Sequence, residues 1–167
     1  HLSPDGKNLY LGTNYDSADA ETGIVQYELK IPFKITTAEY YGHYNFFVED
    51  GAADVIGIHF SSDGTKVFAS ISGNSSSRIV ERTLDIEWDI KSITNNNGPT
   101  LITTGFGNED ERTDIKGLEF NSDGTKLYYI KSYTGSPTSS RSVYIFEHTL
   151  SSAYDLSTAS YASISFS

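Results

Sequence analysis

An all-β fold is predicted, and three observations carry the prediction. The phrase IGIHFSSDGTKVF at 56–68 returns as KGLEFNSDGTKLY at 116–128, and a clipped version, HLSPDGKNLY, opens the chain. In each, Asp-Gly stands between two apolar runs, so Gly supplies the positive φ of a tight turn and the flanking alternation gives each strand one buried and one exposed set of side chains. The third observation is the lack of a convincing helical period. The best attempt, Thr36 to Phe47, is crowded with aromatic residues and Thr and is interrupted by Gly42, which suits a strand better.

With the turn Asp as a ruler, Asp5, Asp63 and Asp123 are 58 and 60 residues apart. A fixed recurrence on this scale marks a repeat architecture. A second landmark recurs: Leu29, Leu84 and Leu150 are each followed four positions later by an aromatic residue, Phe33, Trp88 and Tyr154. From turn Asp to landmark Leu the distances are 24, 21 and 27 residues, so the variation falls in the polar loops at about 14–23, 72–77 and 133–140.

The elements then follow in order. The first copy (1–54) is expected to hold strands near 7–13, 24–29 and 34–47, and to lack the residues matching Val55 to Ile58. The second copy (55–113) places strands at 55–60, 66–71 and 78–84, with a fourth between 91 and 104 interrupted by Asn95-Asn96-Asn97-Gly98-Pro99. The third (114–167) repeats the plan at 115–120, 126–131, 142–150 and 160–166. The recurrent Phe33, Trp88 and Tyr154 are expected to pack between copies, each burying a large apolar area. Because the chain contains no Met, His1 is not expected to be the initiating residue.

Composition narrows the classes. The 167 residues suffice for one ordinary core. Twelve basic residues against 22 acidic ones leave a formal charge of −10, which argues against a nucleic-acid partner and disfavours an anionic membrane surface. No apolar run approaches the roughly 18 residues that span a bilayer, so membrane insertion is not expected. Without Cys there are no disulfides and no thiol catalysis. Richness in Ser, Thr, Asn, Gly and Tyr with few Lys leans toward an extracellular, cell-surface or virion setting.

Four antiparallel strands per copy, in copies of 40 to 60 residues, predict the blades of a β-propeller: about three blades here, the first without its inner strand. The words FSSDGTKVF, FNSDGTKLY and LSPDGKNLY resemble the SPDG-type blades of WD40-like, TolB-like and YVTN-type propellers. The C-terminal phrase HTLSSAYDLSTASYASISFS is similar to repeats of predicted propeller proteins from marine bacteria and their phages. The resemblance implies a fold and leaves activity open. No Trp-Asp dipeptide ends a third strand, and the sialidase box is not matched, since Gly64 and Gly124 follow Asp directly. Three blades do not enclose a channel alone, so the further blades are expected from the same longer chain or from another copy.

Asp54 and Asp114 stand nine residues before Asp63 and Asp123, at the entrance to the first strand of a blade. There, repeated carboxylates would hold Ca²⁺ or a polar ligand, or would cap a turn by accepting backbone N–H bonds. The acidic loops 48–51 and 108–111 do not follow the helix-flanked calcium pattern and read as solvated surface. His1, His59 and Glu119 align across the copies and would make a metal set if they converged. Tyr41, Tyr44 and Tyr133, with Tyr40 and Tyr129, offer rings for a carbohydrate platform, against the alternative of packing. No nucleophile elbow or phosphate loop is present. The expected function is therefore non-enzymatic binding or assembly with a protein or glycan ligand. The alternatives are a hydrolase or lyase acting on extracellular polysaccharide and a structural subunit of a polymeric assembly.

Overall fold

In the computed structural model, which describes residues 1–13, 23–46, 53–73, 77–94, 98–102, 112–134 and 141–166, each Asp-Gly word is a turn. The first sheet runs β1 (Asn8–Gly12), β2 (Gly23–Leu29) and β3 (Ala38–Asn45). The second runs β4 (Ala53–Phe60), β5 (Lys66–Gly73), β6 (Ser77–Thr83) and β7 (Thr100–Ile102). The third runs β8 (Arg112–Phe120), β9 (Lys126–Thr134), β10 (Arg141–Leu150) and β11 (Ala159–Phe166). All three are antiparallel meanders with strands in chain order. Among the described residues the only helical turns are single 3₁₀ turns at Ile35–Thr37, Ile90–Ser92 and Leu156–Thr158, each between the last two strands of its sheet. The first sheet keeps a trace of the strand that β4 and β8 supply elsewhere: Leu2 bridges to Leu9 as Phe60 pairs with Val67 and Phe120 with Leu127.

The turn chemistry explains the repeated word. Gly6, Gly64 and Gly124 sit at φ of 69°, 73° and 73°, where a Cβ is disfavoured. The Gly64 N–H donates to the Ser61 carbonyl at 2.9 Å, and the Ser61 N–H to the Lys66 carbonyl at 3.0 Å, closing the hairpin. The Asp63 carboxylate accepts from the Ser61 hydroxyl at 2.6 Å and from the Thr65 N–H at 3.1 Å. Asp5 accepts from the Ser3 hydroxyl and the Lys7 N–H in the same way, and Asp123 from the hydroxyl and N–H of Thr125.

The sheets stack in series, with β4 packed against β1 on one side and β8 on the other. Alternation along β5 decides which core a side chain joins. Val67, Ala69 and Ile71 face the first sheet, in a cluster with Tyr10, Ile24 and Phe46. Phe68 faces the third, in a cluster with Ile79, Phe120, Leu127 and Phe146. Close approach of β4 and β8 requires Gly57: a Cβ there would lie 3.2 Å from the Gly117 Cα and 2.9 Å from the Ser70 hydroxyl.

The turn carboxylates make stability acid-sensitive. Hydrogen bonds from Ser61, then Thr65, hold Asp63 below the ordinary Asp pKa, and Ser3 and Thr125 lead the same effect at Asp5 and Asp123. Because the folded values lie below the unfolded one of about 3.9, this stabilisation is complete above that pH and is lost as pH falls through the folded values. The urea unfolding midpoint is expected to drop as pH falls from about 4 through these lowered values. In Asp63→Asn, that dependence becomes shallower and stability at neutral pH falls by at most about 1 kcal/mol, solvent screening keeping the effect small.

Candidate functional site

Two of the three recurrent aromatic residues, Trp88 and Tyr154, pack between sheets as expected and Phe33 does not, and all three share a backbone feature the sequence did not announce. Phe33, Trp88 and Tyr154 adopt φ of 61°, 64° and 55°, and their N–H groups donate to the carbonyls of Gly6, Gly64 and Gly124 at 2.9, 3.0 and 2.9 Å. Each ring lies on the turn glycine of its own copy, so that a Cβ on Gly6, Gly64 or Gly124 would come within 2.5, 2.2 or 2.3 Å of it. Trp88 and Tyr154 also join the clusters between sheets, Trp88 stacking on Phe60 with ring centroids 5.2 Å apart and Tyr154 lying 5.3 Å from Phe120. Phe33 does not, and is 63% exposed.

Holding the aromatic residue at positive φ turns its carbonyl toward the preceding sheet, where a polar pair receives it. In the first sheet, Gln26 donates to the Asn8 amide oxygen at 3.1 Å and to the Trp88 carbonyl at 3.0 Å, while its own oxygen accepts from the Ile90 N–H at 3.0 Å. The Tyr10 hydroxyl donates to the same Trp88 carbonyl at 2.6 Å; its burial raises its pKa well above the ordinary value. In the second sheet the pair is ionic: Lys66 meets Glu81 at 2.7 Å, Lys66 donates to the Tyr154 carbonyl at 2.7 Å, and Glu81 accepts from the Leu156 N–H at 2.9 Å. Lys126 and Glu147 repeat the pair in the third sheet at 2.8 Å. Hydrogen bonding to Glu147 holds the Lys126 pKa up. These residues were missed in the sequence, although the signal was there: a polar residue recurs three positions after each turn Asp (Asn8, Lys66, Lys126) and three before each landmark Leu (Gln26, Glu81, Glu147).

The residues singled out in the sequence are distributed along the stack. Asp54 on β4 pairs with Ser72, and Asp114 on β8 with Ser132, so the two hold equivalent register positions on the first strands of adjacent sheets. Tyr41 and Tyr44 lie on β3 in the first sheet and Tyr133 on β9 in the third, with the second sheet between them. The Tyr41 hydroxyl donates to Asp89 at 2.9 Å, which raises its pKa, and the Lys91 ammonium sits 3.5 Å from its ring centroid, covering one face. Tyr44 packs edge-on against Phe46 at 4.9 Å. Tyr129 is buried and stacked on Phe146, a core residue. The side chains of Asp114 and Tyr133 and the acidic loops at 48–51 and 108–111 lie outside the described residues.

His1, His59 and Glu119 do form a row. The His1 and His59 rings are 5.8 Å apart, and His59 Nδ1 is 3.4 Å from Glu119 Oε1 without hydrogen-bond geometry. Burial holds His59 below the ordinary pKa, with Glu119 opposing. Among the described residues no group of three or more His, Asp or Glu is placed to hold a metal ion. The third sheet also carries an open, apolar groove of about 310 Å³ lined by Leu118, Tyr128, Ile130 and Ile145.

The sequence matches no known family model and no curated protein. The site is therefore defined by its own geometry: inter-sheet clasps in which a polar pair grips the backbone of the next sheet's aromatic turn. Removing Glu81 leaves the partly exposed Lys66 ammonium without its counter-ion and the Leu156 N–H without its acceptor. Glu81→Ala is expected to cost about 1.5–3 kcal/mol in urea unfolding. The double variant Lys66→Asn/Glu81→Gln, which copies the neutral pair of the first sheet, is expected to lose less than half of that.

Proposed function

We propose that this chain is a non-enzymatic β-propeller repeat module for binding or assembly, acting at a cell surface, in a secreted complex or on a virion. The observation that carries the reading is the repeated junction. The same lock and the same clasp join successive sheets twice, so Gln26, Lys66 and Glu81 are committed to holding sheet to sheet. Serial packing of antiparallel meanders through β1, β4 and β8 is the relation expected of blades around an axis. The likeness of the Asp-Gly hairpins to SPDG-type propeller repeats supports the same reading.

A protein or glycan ligand is expected at the strand ends around Asp54 and Asp114, with Ca²⁺ the cation such carboxylates would take. Glycan and protein arrays probed with and without Ca²⁺, alongside a turnover assay on polysaccharides and esters, test this. Saturable binding with unaltered substrates is expected, and Asp54→Asn/Asp114→Asn is expected to weaken that binding by about tenfold or more. Product release at enzyme-like rates would replace the reading with that of a hydrolase or lyase.

A further inference from the structure

We infer that the first and third sheets carry complementary halves of one docking surface, through which copies of this chain associate head to tail. The inference deepens the repeat-module reading, on which it rests, by naming a partner. It follows from comparing equivalent register positions along the stack.

At each internal junction, the preceding sheet presents two apolar side chains and a polar pair. Tyr10 and Ile24 of the first sheet, and Phe68 and Ile79 of the second, are fully buried there. The matching positions of the third sheet, Tyr128 and Ile145, line the open groove instead, and Ile145 is 44% exposed. Beside them the Lys126–Glu147 pair is formed at the register positions of Lys66 and Glu81. This end therefore holds a finished half of a junction.

The other half is what the following sheet brings: the aromatic carbonyl and the apolar residue of its 3₁₀ turn. Ile90 and Leu156 in that role are 0% and 4% exposed. Their counterpart in the first sheet is Ile35, 63% exposed, next to the equally exposed Phe33. Leu11, 45% exposed, occupies the position where Ala69 and Tyr129 are buried. Tail and head are thus the same two faces that already bury each other twice within the chain, and the occupant that fits the tail is the head of a second copy. Such a contact is heterologous.

Sedimentation velocity on the 167-residue chain tests the inference. A concentration-dependent mass above 18.4 kDa is expected. Ile145→Lys on the tail and Ile35→Lys on the head, both at exposed positions and checked for unchanged thermal unfolding, are each expected to weaken association by at least about tenfold. Mixing the two variants restores one intact head and one intact tail, so 1:1 dimers that grow no further are expected. A chain that stays at 18.4 kDa up to about millimolar concentration, variants that associate like the parent, or a mixture that stays monomeric would each overturn the inference. A chain that associates in this way yet degrades polysaccharide would keep the inference and sink the binding-module reading. A monomer that binds a glycan would do the reverse.

Discussion

An aromatic residue held at positive φ over a glycine is the constraint around which each copy is fitted. For a residue with a Cβ that conformation costs on the order of 1–2 kcal/mol, so it persists only where its surroundings over-determine it. Here three things do so at once: the N–H bond to the glycine carbonyl, the ring lying where a Cβ would otherwise be, and the 3₁₀ turn that follows. The hairpin turn and the second crossing of the chain become one rigid piece. The loops between them differ in length while the lock keeps the same bonds in every copy.

The lock has a consequence for the next level of structure, since it sets the direction of the carbonyl that the preceding sheet must satisfy. Two chemistries meet that demand with one geometry, a neutral Asn8–Gln26 pair and an ionic Lys66–Glu81 pair. Burying ions is expensive, and the ionic version is sustained because each charge also bonds a backbone group of the neighbouring sheet. Sliding one sheet over the next would leave a desolvated pair without those partners. Apolar packing alone is non-directional, so register between the sheets is set by the clasp.

Much of this fold was legible in the sequence. The Asp-Gly ruler and the alternation around it placed β4, β5, β6, β8, β9, β10 and β11 to within a few residues, because turn chemistry and pleat are local. The clasp was not legible, although its residues recur, because period-2 alternation reads one face as wet. In a stack the central sheet has no wet face, so Glu81, His59 and Ser70 are buried where alternation alone would expose them. The positive φ of Phe33, Trp88 and Tyr154 was equally hidden, since nothing in an aromatic residue announces a left-handed backbone. Tyr41 and Tyr44 fall on the strand expected of them, and Asp54, expected just ahead of a strand beginning at 55, lies within β4, but whether such residues converge depends on the stacking of sheets, which spacing along one strand does not encode.

The composition of the third sheet's open face argues that water is not its intended neighbour. Where the second sheet has Ser70 and Ser77, both buried, the third has Ile130 and Val143, 40% and 42% exposed. The exposed face is thus more apolar than its covered equivalent, the reverse of what solvation would select. A sheet that ended the stack in solvent would carry its hydroxyls on this outer face and its branched side chains within. The inversion is accounted for when the face is a junction waiting for its other half, since Ile130 and Val143 then gain the cover that Ser70 and Ser77 already have.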